Sequence, residues 1–333
     1  MKRVFLLLFF VTSLMLLCAQ QTASDMGLQG NVKRLYTYKH LADSIKIVND
    51  TTVSYRKLGL VEHIEYIFEK NGLLLAENNF DKEKDLIEFS YIYTFDDKDQ
   101  LIEETRARMG RFLVGRTEYK YDKEGRKSQG LVYDYQDSLR NTVTYKYDSS
   151  GNLISEQTYN TIFIKIKDLL HHYDARGNQI LTISLATRAY SSKPYREVQK
   201  FDEQNNLIYK SYTEKDSLHW EYFAKYNDQN SMTYEELKDG KGTTTVRSNL
   251  KYDKKNNRIS LIQYSKDLGQ QTETRYKYVK GKLHSENVYS TETKELLKTK
   301  THFQDAQGNW IFCIEKDEKT GITIVHSRRI SYF

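Results

Sequence analysis

Tyr147-Asp148-Ser149-Ser150-Gly151-Asn152-Leu153-Ile154 decides the fold. Before it, Val143, Tyr145 and Tyr147 alternate with Thr144 and Lys146. A period of two places the first set on one face of a β-strand and the second set on the other. Asp148 suits the start of a type I turn, and Gly151 suits its end, where the chain passes through positive φ at no steric cost. Leu153-Ile154 then opens a second strand. These residues prescribe a strand, a reversal and an antiparallel partner.

The pattern recurs along the chain. Anchors fall at Phe68, Phe95, Tyr121, Tyr147, Tyr173, Phe201, Tyr226, Tyr252 and Tyr278, separated by 27, 26, 26, 26, 28, 25, 26 and 26 residues. A tenth copy, Gln304-Asp305-Ala306-Gln307-Gly308-Asn309, keeps the interval of 26 but has its aromatic at Phe303. Four residues after the first eight anchors stand Gly72, Asp99, Gly125, Gly151, Gly177, Asn205, Asn230 and Asn256, the types that enter the left-handed region most cheaply. The ninth copy, Tyr278-Val279-Lys280-Gly281, is one residue shorter and predicts a tighter turn. Ten copies give about twenty strands, and an open sheet beyond roughly ten strands curls or coils. The expected fold is all-β: an elongated antiparallel β-hairpin repeat solenoid, a coiled or curled single sheet with a period of about 26 residues. Such arrays need atypical ends, and these stand at Gly27 to Leu35 and from Gly308-Asn309-Trp310 to Tyr332.

Of 333 residues, 27 are Tyr and one is Pro, with aromatics at 13% and hydrophobic residues at 38%. That supply excludes a disordered chain, and tyrosine suits thin sheets because its ring packs while its hydroxyl stays wet. Residues 1–20 read as a secretory signal peptide: Lys2 and Arg3, the apolar run Val4 to Leu17, then Ala19. The run is shorter than the ~20 residues a membrane helix needs, so the expected product, residues 21–333, is one exported domain with no integral span, in the periplasm, on the outer surface or secreted. Leu17 stands where a small residue would precede a lipidated Cys18, which disfavours a lipid anchor. Cleavage after Ala19 or Gln20 leaves Cys313 without an internal disulfide partner. Loss of Lys2 and Arg3 lowers the formal charge from +6 to +4, with no basic tract of the kind a nucleic-acid binder shows.

Through Tyr-Asp-x-x-Gly-Asn-x-Ile, at Tyr147 to Ile154 and Tyr173 to Ile180, the sequence resembles the YD repeats of the RHS family. It also resembles the secreted repeat proteins of Bacteroidetes, whose last copy carries Gly-Asn-Trp, here Gly308-Asn309-Trp310. The resemblance implies a β-hairpin repeat domain and a surface or envelope location. It carries no catalytic residue across.

No zinc motif or cysteine-rich ligand set includes the eight histidines. His171 and His172 alternate faces, so His171 reads as a substitute for the tyrosine two positions before an anchor. Asp122, Asp148, Asp174, Asp202 and Asp253 read as turn residues whose carboxylates accept local backbone N–H bonds. Neither a phosphate-binding loop nor a nucleophile elbow is present, and no cofactor is expected. The strongest candidate binding face is an aromatic stripe: Tyr93, Tyr119, Tyr145 and Tyr276 two residues before their anchors, with Tyr121, Tyr147, Tyr173, Tyr252 and Tyr278 at them. Stacked into ladders, these rings would build the core of a coiled sheet; exposed along a concave face, they would bind an envelope glycan or an extended polypeptide. The expected function is a non-enzymatic binding or structural scaffold of the cell envelope. The alternative is an envelope carbohydrate-active hydrolase, which needs two carboxylates roughly 5–9.5 Å apart in one cleft.

Overall fold

The computed structural model describes residues 21–49, 52–84, 86–187 and 193–333; the signal peptide and Cys18 lie outside them. The described residues form 22 β-strands, numbered β1 to β22 in chain order and joined in one antiparallel sheet. Their contacts gather them into two compact units. One comprises the described part of Met1–Arg116 with Tyr276–Tyr289 and Lys294–Phe333; the other comprises Thr117–Arg275 with Ser290–Thr293.

The reversal after Tyr147 shows why these residues make these elements. β8 (Leu139–Tyr147) pairs with β9 (Leu153–Asn160). Between them Gly151 N donates to Asp148 O at 3.1 Å, and Asp148 N donates to Asn152 O at 2.9 Å. The Asp148 carboxylate accepts from Ser150 N at 2.9 Å and Asn152 N at 2.8 Å. Gly151 has φ +87°. The same two-bond acceptance recurs at Asp96, Asp122, Asp174, Asp202, Asn227 and Asp253. Asp99, Asn205, Asn230 and Asn256 take positive φ in the place of Gly151. In the shorter ninth copy Lys280 and Gly281 both take positive φ, as a tight two-residue turn requires.

The expected elongated β-hairpin repeat solenoid is overturned, because the sheet closes. β1 (Val32–Asn49) pairs with β2 (Thr52–Phe68) on one side and with β22 (Thr323–Tyr332) on the other, so the first and last strands leave no open end. Two physical reasons stand in the register. Tyr147 pairs with Leu153 but Lys146 pairs with Ser155, which leaves Ile154 as an extra residue on β9. The same slip follows Phe95, Phe201, Tyr226 and Tyr252. Each bulge bends its strand and increases its twist. Closure also pairs the N–H and C=O groups that an open sheet would expose at its edges.

Within the first unit, the ends singled out by sequence meet. The Gln29 N–H donates to Asn309 Oδ1 at 2.6 Å, and Asn309 Nδ2 donates to Gln29 O at 2.9 Å and to the Tyr332 hydroxyl at 2.7 Å. Tyr332 in turn donates to Asp305 Oδ2 at 2.6 Å. Beside this clasp Ala23, Leu28, Val32, Leu35, Phe68 and Leu74 form a buried apolar cluster.

Gly151→Val is expected to cost about 1–2 kcal/mol through the left-handed backbone alone, since no atom stands within 4 Å of the position its Cβ would take. Ser150→Val, at an exposed turn position, is expected to change stability by less than about 0.5 kcal/mol. Chemical denaturation of the two variants checks this, and equal midpoints would remove the turn assignment.

Candidate functional site

The nine stripe tyrosines are all half-buried, whereas Lys120, Lys146 and Lys277 between them in sequence, and Lys251 just before Tyr252, are exposed. Alternation has therefore sorted the two faces of the sheet. Tyr119, Tyr121, Tyr145, Tyr147, Tyr173 and Tyr252 belong to the unit built on Thr117–Arg275, and Tyr93, Tyr276 and Tyr278 belong to the other. Tyr93 packs against the Leu35–Phe68 cluster.

Hydroxyls do not stay at a wet edge. Tyr147 donates to Lys127 O at 2.9 Å, Tyr173 to Leu153 O at 2.9 Å, Tyr226 to Leu207 O at 3.1 Å and Tyr252 to Met232 O at 2.7 Å. Each acceptor lies six residues beyond the preceding anchor, at the start of the previous pair's second strand. An anchor tyrosine thus ties its own strand pair to the one before it. Cations cover ring faces: Arg126 stands 4.8 Å from the Tyr147 centroid and Lys127 stands 3.9 Å from that of Tyr119. Buried Gly130 leaves room between Tyr119 and Tyr145, whose atoms would stand 3.7 and 3.5 Å from an added Cβ. The stripe is built into the wall of the sheet.

His171 accordingly occupies a tyrosine's place, with Nδ1 3.1 Å from Thr182 Oγ1, while His172 is exposed. The turn aspartates are likewise engaged: the Asn152 side-chain amide, followed by backbone N–H groups, holds the Asp148 carboxyl below its ordinary pKa. Among the described residues no group of three or more His, Cys, Asp or Glu is arranged to hold a metal ion.

A recess not singled out by sequence lies on the first unit. β19 (Lys282–Ser290), β20 (Leu296–Gln304), β21 (Trp310–Asp317) and β22 line an open volume of about 330 Å³ with Glu286, Lys300, His302, Trp310, Cys313, Glu315 and His326. Register explains the grouping: Glu286 faces Lys300, Lys300 faces Glu315, and His302, Cys313 and His326 stand side by side on successive strands. His302 sits two residues before Gln304, the place a stripe tyrosine would take. Its Nε2 lies 2.8 Å from Glu286 Oε1. Burial opposes a charge on His302, but Cys313 and Glu286 outweigh it and raise its pKa to about 9. His326 first, then Lys298 and Lys300, hold Glu315 well below the ordinary carboxylate range against the effect of burial. The recess therefore presents an imidazolium beside a carboxylate. The signal in sequence was the replacement of stripe aromatics by His302 and Gln304 in the tenth copy.

No protein-family model matches the sequence, and no curated protein matches it. Similar solved structures include the Photorhabdus luminescens Tc holotoxin pore, at 13% identity over 78% of this chain and 17% of that one, with a TM-score of 0.29. A TcdB2–TccC3 structure without its hypervariable C-terminal region is similar at 11% identity over 89% of this chain and 20% of that one, with a TM-score of 0.29. A porin-like protein from Bacteroides uniformis is similar at 9% identity over 91% of this chain and 99% of that one, with a TM-score of 0.30. The chain thus spans about a fifth of the toxin chains, and likeness at these scores carries nothing about function. The YD-repeat resemblance rests on the sequence motif. Among the described residues no helix is long and apolar enough to cross a membrane.

Two outcomes test this geometry. Tyr147→Phe should cost about 1 kcal/mol, the usual net worth of a lost hydrogen bond, and Tyr147→Ala roughly 3 kcal/mol; Lys146→Ala should stay within about 0.5 kcal/mol. Denaturant midpoints decide it, and a Tyr147→Phe equal to the parent would remove the inter-pair bond. Because the folded pKa of His302 stands above its ordinary 6.5, its contribution is complete below pH 6.5 and is lost as pH rises through about 9. Midpoints followed across that window should fall for the parent and fall less for His302→Gln; parallel curves would refute the assignment.

Proposed function

We propose that the exported chain is a non-enzymatic scaffold of the cell envelope, whose sheet offers a surface for a glycan or a protein. One observation carries this reading: the side chains that repeat are consumed in construction. Turn aspartates accept backbone N–H bonds, and anchor tyrosines bond to the preceding strand pair. Repetition therefore supports a wall, while a catalytic centre needs groups converging on one point. The apolar run Val4 to Leu17 supports export.

The hydrolase reading keeps one observation in its favour, since Glu286 and Glu315 line the same recess. Against it, Glu315 is held ionised and Glu286 is engaged with His302, whereas glycoside hydrolysis needs a carboxyl kept protonated to assist the leaving group.

The full chain, expressed in a host with two membranes, is expected in the envelope fraction with an intact mass that begins near residue 20 or 21. A product that retains Met1, or one acylated at Cys18, would overturn the address. Purified protein incubated with envelope polysaccharide is expected to release no reducing ends. Release that disappears in Glu286→Gln or Glu315→Gln would replace the scaffold with a hydrolase.

A further inference from the structure

In the unit built on Thr117–Arg275, polar turns ordered by an aspartate occur at both ends of the strands, Asp148 at one and Asp134 and Asp239 at the other, and one connection departs from them. At the end holding the Asp148, Asp174, Asp202 and Asp253 turns, the loops expose Ser149 and Ser150, Arg176, Glu203 and Gln204, and Lys254 and Lys255. At the other end, the connection from β9 to β10 (Lys165–Tyr173) exposes Ile162 by 70%, Phe163 by 86% and Ile164 by 41%. Tyr135, 65% exposed, stands on the connection from β7 (Lys127–Asp134) to β8, at the same end.

The apolar tip is a well-formed turn. Asn160 Oδ1 accepts from Ile162 N at 3.2 Å and Ile164 N at 2.9 Å, and Phe163 N donates to Asn160 O at 3.0 Å. It repeats the geometry of the aspartate turns. At the place given to Gly, Asn or Asp elsewhere it carries Phe163, with φ +60°. A bulky residue there is a strained outlier, and strain held by an otherwise regular turn points to a use for the side chain.

We propose that Ile162-Phe163-Ile164 is a finger that inserts into the interfacial layer of a lipid bilayer. Three observations favour lipid over a protein partner. The tip is convex and three residues wide, a shape that a deformable layer accepts without a preformed pocket. The cations behind it are already paired, Lys165 with Asp168 at 2.7 Å and Lys167 with Glu156 at 2.7 Å, so they stand at headgroup depth without demanding an anionic partner. Leu268, 67% exposed on the connection from β17 (Arg258–Ser265) to β18 (Gln270–Val279), puts a further apolar tip at the same end of the unit. Aromatic rings favour that interface, and neighbouring Tyr135 supplies a second one. The inference stands apart from the scaffold reading, since it concerns what holds the protein to a surface and not what the sheet binds.

The test is sedimentation of the full chain with phosphatidylcholine vesicles, with and without an anionic lipid. The parent is expected to co-sediment with both, with little dependence on salt. Phe163→Gly should weaken vesicle binding by about tenfold, as the loss of one large apolar side chain implies, while raising the melting temperature because the backbone strain is relieved. These opposite signs separate insertion from a structural role, and Phe163→Asn, which also suits the left-handed position, should behave in the same way. Tryptophan in Phe163→Trp should be quenched by brominated lipid beyond the level set by Trp220 and Trp310. Failure of the parent to bind vesicles, or equal binding by parent and Phe163→Gly, would overturn the proposal; the first result would turn attention to a protein partner for the tip.

Discussion

A side-chain oxygen that takes two backbone N–H bonds, seen in the Asp148 carboxylate with Ser150 and Asn152, is the constraint from which the rest follows. It holds the reversal closed and sends the fourth residue after the anchor through positive φ. It also sets which residue of the returning strand lies opposite Tyr147. With that phase set, alternation leaves no choice about the faces: Tyr145 and Tyr147 go to the half-buried side and Lys146 to the exposed side. A bulge at Ile154 comes with the same reversal, so bending is supplied once per turn.

Local features of the fold were legible because their causes lie within a few residues. The Asp-x-x-Gly spacing, the period of two and the short ninth copy each state a backbone conformation. Closure was not legible, since β1 meets β22 across nearly the whole chain and no local motif encodes that pairing. Its trace in the sequence was the unusual character of both ends. Gln29 and Asn309, 280 residues apart, prove to be the two halves of a clasp. The tyrosine hydroxyl belongs to the same class of oversight: its acceptor lies 20 residues back in the case of Tyr147, a distance that reading along one strand does not cover.

The recess teaches a related lesson about repeats. His302 stands where the pattern calls for a tyrosine, and the departure matters because of what it meets on the neighbouring strands, Glu286 at 2.8 Å and Cys313 directly opposite. One substitution in a repeat is ordinary variation. A substitution that meets an acidic side chain on the next strand creates a charged environment, which is why His302 holds its proton where His171, near Thr182 and depressed chiefly by burial, does not. Strand register, not sequence proximity, decided which side chains met.

The same comparison within one chain gives the Phe163 turn its meaning. Asn160 organises this turn with the bonds that Asp148 uses for its own, so the backbone demand is equal in the two places. At Gly151 the demand is met without cost. Phe163 meets it with a side chain that adds strain and gains nearly no burial in return. Folding stability alone would favour glycine there, and the two flanking isoleucines repeat the anomaly by exposing apolar surface beside it. A feature that works against folding in three consecutive residues, on a turn whose relatives show the cheaper solution, is best understood by what it contacts outside the chain.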